Sequence, residues 1–258
     1  MNASARGLRV LVTAGAAGIG KAFAEVFADA GAKVFICDVD RAALDAFRAA
    51  HPAIGTGFAD IADSQQVDGL FDEATVFLGG LDVLINNAGI AGPTAAVEDI
   101  AIADWDRTIA VDLNGMFYCT RRGVPMLKSA GGGSIINLSS VAGRLGFPLR
   151  TPYSAAKWAV IGFTKSLAIE LGPANIRVNA IQPGVVEGDR IERVIAAKAQ
   201  ALGLTHEAYR EQLVSKVSLR RTVSPFDIAN MALFLATDAG KNISGQAVSV
   251  CGNVETLA

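Results

Sequence analysis

Tyr153 and Lys157 stand four residues apart in a segment that also holds Ser140, and these side chains are the chain's leading candidates for chemistry. Four residues is just over one helical turn, so a helix here sets phenol and amine on one face. The chemistry is proton transfer by a tyrosine made acidic by its neighbour. A free tyrosine has a pKa of about 10, so roughly one in a thousand is ionised near neutrality. Making it a base there takes a fall of about 3 in pKa, on the order of 4 kcal/mol. A lysine ammonium and a cationic cofactor ring can supply that jointly by favouring the phenolate. A serine hydroxyl beside them would hydrogen-bond the substrate oxygen and hold it against the tyrosine. The competing reading is an amphipathic helix in which Tyr-x-x-x-Lys is accidental. A dinucleotide site upstream decides between the two.

The elements that must position these residues can be read around them. Ser134 to Leu138 is an apolar run that reads as a buried strand, and Ser140 follows its carboxyl end, where open α/β sheets place ligands. Pro152 is a helix start signal, and Ala156, Val160, Phe163, Leu167 and Leu171 keep helical spacing. Upstream, Leu8 to Thr13 reads as a strand. The turn Ala14-Gly15-Ala16-Ala17-Gly18-Ile19-Gly20 follows. A helix then runs through Ala22, Phe23, Val26, Phe27 and Ala30 to Gly31, and a second strand, Lys33 to Asp38, ends in an acid. The unit has the length of a βαβ crossover.

That turn is built to bind an anion. Glycines let the backbone approach a pyrophosphate, and the helix amino terminus points N–H groups at it. Asp38 can accept the ribose hydroxyls. A 2′-phosphate beside it would meet about 4 kcal/mol of repulsion at about 4 Å with an effective dielectric near 20. The nearest basic residue after it is Arg41, so NAD is expected over NADP.

The remaining segments alternate helix and strand. Arg41 to Ala50 is expected to be helical and Ile54 to Ala59 a strand, with Asp60 at its tip placed either to bond adenine or to cap a turn. Ser64 to Leu78 is a helix. Asp82 to Ile85 is a strand ending in Asn86-Asn87-Ala88-Gly89, either a close approach to a ligand or a plain polar turn. Trp105 to Leu127 reads as one long helix with a stripe of Trp105, Ile109, Leu113, Phe117, Thr120, Val124 and Leu127. Asp112 lies off that stripe but within reach of the site. Arg121 and Arg122 read as a solvated face or a docking surface. A strand from Ile176 to Ile181 stops at Gln182-Pro183-Gly184. Residues 185–222 are densely charged, with helices expected at 190–202 and 205–217, and are too long for a connector. They read as a lid, or else as a surface excursion with no gating role. A helix (225–236) and a strand (246–251) close the chain. Short apolar strands without inside-outside alternation mark a parallel sheet covered on both faces.

Composition narrows the class. The chain has 258 residues, 51% hydrophobic and 19% charged, which suits a single domain over 1–258. A net charge of −2 gives no basic surface for nucleic acid. No apolar run reaches the ~18 residues of a membrane span, and the first residues lack an apolar signal core, so a cytoplasmic location is expected. Cys37, Cys119 and Cys251 lack metal-ligand spacing and read as buried free thiols. His51 and His206 read as surface residues. No metal site is expected.

Taken together, these pieces resemble the short-chain dehydrogenase/reductase family over about Leu8 to Gly252. The resemblance lies in an ordered series: the Thr13–Gly20 turn, Asp38, Asp60, Asn86-Asn87-Ala88-Gly89, Ser140, Tyr153-x-x-x-Lys157 and Pro183-Gly184. It implies a doubly wound, Rossmann-like, seven-stranded parallel sheet in the order 3-2-1-4-5-6-7 with helices on both faces. It implies Tyr153 as general acid/base, Ser140 polarising the substrate oxygen, and Lys157 binding the nicotinamide ribose while lowering the tyrosine's pKa. Thr13, Gly15, Gly18, Ile19, Gly20, Asp38, Asp60, Ile61, Asn87, Ala88, Gly89, Pro183, Gly184 and Val186 would contact the cofactor. A homotetramer is the family's usual assembly. The chain departs from the family at four places. Ala14 stands for the turn's first glycine, Asp112 for a catalytic asparagine, Gly188 for a threonine that steadies the nicotinamide amide, and Cys251-Gly252-Asn253 for Asp-Gly-Gly. The implied activity is NAD-dependent interconversion of a secondary alcohol and a ketone on a sugar, polyol or hydroxy acid. The flanking Arg144 and Arg150 and the charges of the lid favour a polar substrate. A 3-oxoacyl thioester reductase and a non-catalytic NAD-binding regulator are the alternatives.

Overall fold

Strand and helix alternate from the first described residues, as the apolar runs and helical stripes require; the computed structural model describes residues 4–257. The first half runs β1 (Arg9–Thr13), α1 (Gly18–Asp29), β2 (Lys33–Asp38), α2 (Arg41–Ala50), β3 (Gly55–Phe58), α3 (Ser64–Leu78) and β4 (Val83–Asn86). The second half runs α4 (Ile102–Ile109), α5 (Gly115–Ser129), β5 (Gly133–Leu138), α6 (Thr151–Leu171), β6 (Ile176–Pro183), α7 (Asp189–Leu202), α8 (His206–Ser215), α9 (Pro225–Ala236) and β7 (Ala247–Val250).

The seven strands form one parallel sheet in the order β3-β2-β1-β4-β5-β6-β7. The sheet is covered on both faces, which is why its strands carry no polar side. One core packs Phe23 and Phe27 of α1 and Ile228 and Leu235 of α9 on Val10, Val12 and Ile36. The other packs Leu70 and Phe71 of α3, Leu127 of α5 and Leu167 of α6 on Leu11, Leu84 and Ile135. The strand order reverses between β1 and β4, so the crevice opens at their carboxyl ends.

The expected helix from Trp105 to Leu127 is interrupted. A π turn, Ala110–Asn114, separates α4 from α5 and rotates the helix face. The buried side is therefore Thr108, Val111, Asp112, Gly115, Met116, Cys119, Thr120, Gly123 and Leu127; of the expected stripe Thr120 and Leu127 are buried, while Trp105 and Phe117 are exposed. Close packing explains the new face: a Cβ on Gly115 would lie 2.3 Å from Ile61 Cδ1, and one on Gly123 would lie 2.9 Å from Leu84 Cδ2. Arg122 is paired with Asp68 and Asp72 of α3, neither merely solvated nor a free docking surface. The histidines are likewise engaged, His51 with Glu25 and His206 with Glu192.

The charged segment after β6 forms α7 and α8 over a small core of its own. Ile195, Ala199, Tyr209, Leu213 and Val217 pack against Val141, Ala142, Cys251 and Val254. The chain's end straps it down: Ser218 N–H donates to Asn253 O and Leu219 N–H to Gly252 O. Cys251 accepts from Val254 N–H through Sγ, which is what the departure from Asp-Gly-Gly does here. Among the described residues no helix is long and apolar enough to cross a membrane.

All three cysteines are free and buried. Burial pushes the Cys37 thiol up to about 12 and raises that of Cys119 well above its ordinary value. The thiolate is the reactive form. Peptide mapping after iodoacetamide treatment at pH 8 is expected to find Cys37 and Cys119 unmodified in the native protein and modified in denaturant. Rapid native labelling of Cys37 would contradict the burial.

Candidate active site

Ser140, Tyr153 and Lys157 converge at the carboxyl end of β5. Ser140 follows the strand, and its Oγ accepts from Ala142 N–H at 3.1 Å, which fixes the hydroxyl at the head of the next turn. Pro152 sits in the first turn of α6, where its missing N–H is not needed, and Tyr153 and Lys157 follow on the face turned to the sheet. Lys157 Nζ lies 5.6 Å from the Tyr153 ring centroid. The lysine is 3% exposed, and its ammonium donates to Leu138 O at 3.1 Å.

Asp112 completes the group. The π turn carries it into the interior, where it is 0% exposed. Its Oδ1 accepts from Ile90 N–H at 2.7 Å, and its Oδ2 stands 3.4 Å from Lys157 Nζ. The ammonium is out of alignment for a hydrogen bond, so Oδ2 has no hydrogen-bond partner among the described residues. Asp112, off the stripe by sequence, thus faces the lysine directly. Gly89 permits this approach: a Cβ there would lie 3.1 Å from Lys157 Nζ and 3.3 Å from Asp112 Oδ1.

The expected cofactor residues gather at the β1–β4 reversal. A Cβ on Gly20 would lie 1.8 Å from Ala14 O, so that position accepts no other residue without rebuilding the turn, and Gly18 takes φ 53°, where a side chain would be strained. Ala14 adopts the left-handed conformation with φ 51°, and the alanine bears that strain. Thr13 and Asn87 lock the turn to β4. Thr13 Oγ1 accepts from Asn87 N–H and Ala88 N–H, both at 3.0 Å, and Asn87 Nδ2 donates to Thr13 O and Ala14 O. Ile19 is half-buried just inside α1.

These residues fit a dinucleotide. The amino end of α1 has no side-chain cap and no acid in its first turn, as is also true of α5 and α6, but it alone of these follows the glycine turn at the β1–β4 reversal. Free N–H donors facing a glycine turn suit a pyrophosphate. Asp38 sits over that turn, its Oδ2 accepting from Ala16 N–H at 3.1 Å and its Oδ1 from Val39 N–H at 2.8 Å. Arg41 is stacked on Phe58, 3.6 Å from the ring centroid.

Other expected cofactor residues also make contacts within the fold. Asp60 caps its turn through Ala62 N–H and pairs with Arg107 at 2.9 Å, while Ile61 is buried against α5. Pro183 ends β6, Gly184 packs on Cys251, and Val186 bridges to Val223 at the foot of α7. Gly188 enters α7 with φ 125°, a conformation closed to threonine, which accounts for that departure. Arg144 does not face the site; it donates to Val254 O at 2.6 Å and ties down the chain's end.

The sequence reading did not foresee two features. One is the buried chain in which Asn86 Nδ2 donates to Thr120 Oγ1 and Asn137 Oδ1, and Asn137 Nδ2 to Thr164 Oγ1. Asparagines recurring at strand ends are its only sequence signal. The other is Arg150, at 2% exposure among the largest fully buried side chains. It precedes the helical stripe, so no periodicity betrays its burial.

With the geometry in hand, comparison with known proteins gives the class. A family model described as enoyl-(acyl carrier protein) reductase matches residues 14–253. The chain belongs to the short-chain dehydrogenase/reductase family and is an oxidoreductase of that family. It is 35% identical to a 3-oxoacyl-(acyl-carrier-protein) reductase of Thermotoga maritima, over 95% of this chain and 96% of that one. It is also 35% identical to a cis-4-hydroxycyclohexanecarboxylate dehydrogenase of Sinomonas cyclohexanicum, over 94% of each. Among solved structures, NAD+-bound xylitol dehydrogenase superposes with a TM-score of 0.92 at 28% identity, covering 96% of this chain and 99% of that one.

Removing one partner of a buried ion pair costs about 3–5 kcal/mol. The Asp112→Leu variant is expected to lose on that order of stability in urea unfolding. Asp112→Asn keeps an acceptor for Ile90 N–H but also removes the charge, and is expected to lose nearly as much. A much smaller loss in Asp112→Asn would show that the bond from Ile90 N–H, and not the charge, is what the site requires.

Proposed function

We propose that the protein is an NAD-dependent dehydrogenase that interconverts a secondary alcohol and a ketone on a polar small molecule. The observation that carries this is the convergence of Tyr153, Lys157 and Ser140 beside a turn shaped for a dinucleotide. The bound cofactor supplies hydride acceptance and donation. The chain's own residues do the rest. Thr13, Gly15, Gly18, Ile19, Gly20 and Asp38 hold the adenosine and pyrophosphate end. Asn87, Ala88, Gly89, Lys157, Pro183, Gly184 and Val186 hold the nicotinamide end.

In the oxidative direction Tyr153 Oη takes the substrate hydroxyl proton, and Ser140 Oγ donates a hydrogen bond to the same oxygen. Lys157 keeps a positive charge beside the phenol while that proton moves. Asp112 holds Lys157 in place and, through Ile90 N–H, the loop beside Gly89. Burial of the pair excludes water from its ammonium. The lid, residues 185–222, covers the substrate, with Arg190 and Arg193 of α7 lining the cavity.

NAD over NADP follows from Asp38, with Arg41 drawn onto Phe58. The Thermotoga relative favours a second reading, reduction of a 3-oxoacyl thioester. Higher turnover of an acyl thioester with NADPH than of simple alcohols with NAD would establish it instead. The buried thiols support a reducing compartment, the cytoplasm. Exposed Phe117 on α5 and Trp158 and Ile169 on α6 support a homotetramer, which sedimentation would count.

In an alcohol screen with NAD, read at the NADH absorbance band, the Tyr153→Phe variant is expected to lose about a thousandfold in turnover. Its NADH affinity should remain. Near-normal turnover would remove Tyr153 from its role. Asp38→Ser is expected to lower the NAD-over-NADP ratio of kcat/KM by at least about tenfold, since it removes a repulsion of several kcal/mol. An unchanged ratio would place cofactor choice elsewhere.

A further inference from the structure

Three guanidinium groups line one cavity of about 350 Å³ beside the catalytic tyrosine: Arg150, Arg190 and Arg193, with Gly92, Thr94 and Val194. Arg150 is innermost, 2% exposed, and its Cζ lies 5.2 Å from the Tyr153 ring centroid. Its Nη2 donates to Ala91 O at 2.5 Å, but its Nε and Nη1 have no hydrogen-bond partner among the described residues. Arg190 donates to Gly89 O at 3.1 Å and lies with its Cζ 5.8 Å from the same ring centroid.

No carboxylate among the described residues stands in ion-pair contact with these groups. Asp112 is paired with Lys157, Glu192 with Arg210 and His206, and Glu187 accepts from Thr222. Lys198 adds a further positive charge near the inner end. It is 3% exposed over the Phe147 ring, and burial and then Arg150 push its ammonium down to about 8. A buried guanidinium with unmet N–H donors is costly to keep, and an anion with two acceptor oxygens removes both costs together. No cofactor contact proposed above explains it, except that Gly89 borders both sites.

We propose that the substrate alcohol carries a carboxylate, received by Arg150 at the inner end of this cavity, with Arg190 and Arg193 at its mouth. This rests on the reading of Tyr153 as the group that meets the hydroxyl. It narrows the polar substrates to hydroxy acids. A carboxylate brings a single charge and two acceptor oxygens, which one guanidinium can meet, and the phosphate probe below tests the alternative.

The test is calorimetric titration of the full chain with cyclohexanecarboxylate and with cyclohexanecarboxamide, in the presence of NADH. Neither probe has a hydroxyl, so no turnover is needed. The acid is expected to bind at least about tenfold more tightly than the amide, and Arg150→Met to abolish the difference. A double Arg190→Met/Arg193→Met variant changes exposed side chains only. It is expected to lower the preference about threefold and to flatten its dependence on salt. Equal binding of acid and amide overturns the proposal, as does tighter binding of cyclohexyl phosphate. A preference untouched in Arg150→Met overturns it too; should that variant fail to fold, an untouched preference in the double variant does so. Turnover of neutral polyols without an acid preference would sink the receptor and leave the dehydrogenase reading. An acid preference without turnover of any alcohol would do the reverse.

Discussion

A lysine and an aspartate, both sealed from water, face each other across 3.4 Å where α6 crosses the end of α4. Neither charge could be buried there alone, since each unpaired ion would cost several kcal/mol in desolvation. The pair therefore fixes two elements at once. It sets the rotation of α6, and with it the direction in which Tyr153 points. It also demands the π turn, because a regular helix would carry position 112 round toward the neighbouring face. Ile90 N–H and Leu138 O take up further polar valences of the pair and so tie the loop after β4 and the end of β5 to the same point.

A second polar chain secures the strands beneath it. Asn86, Asn137, Thr120 and Thr164, all buried, link β4 and β5 to the helices α5 and α6. Such groups are costly unless paired, so they hold the strand ends in one register. Thr13 and Asn87 do the same for the glycine turn. The carboxyl edge of the sheet is thus a fixed platform for the site.

Much of this was legible in the residues. The glycine turn, Asp38, the stripes of α1, α3 and α6 and the Tyr153–Lys157 spacing all declare themselves locally, because each is a periodic or conformational requirement of one short segment. What stayed hidden depends on contacts between segments. The π turn inserts a phase shift that no apolar stripe reveals, so Trp105 and Phe117 were placed inside when they lie outside. Arg144 and Arg150 flank the catalytic segment alike in the sequence, but only Arg150 is buried beside the site, while Arg144 serves the chain's end. Asp60 offered two uses, and the structure shows the turn cap with an ion pair.

The charges divide the crevice into two electrostatic ends. On the proposed reading Asp38 lies at one, where backbone N–H groups hold its carboxylate and where it would repel a 2′-phosphate. The guanidinium groups and Lys198 lie at the other, with Lys157 between, neutralised by Asp112. A ligand with its negative group at the wrong end meets repulsion there and loses attraction here. The net charge of the chain, −2, conceals this arrangement, because the acids and bases balance overall and not within the site. On the proposed reading, orientation of cofactor and substrate is therefore set by the separation of charge along the crevice, and the apolar walls need only exclude water.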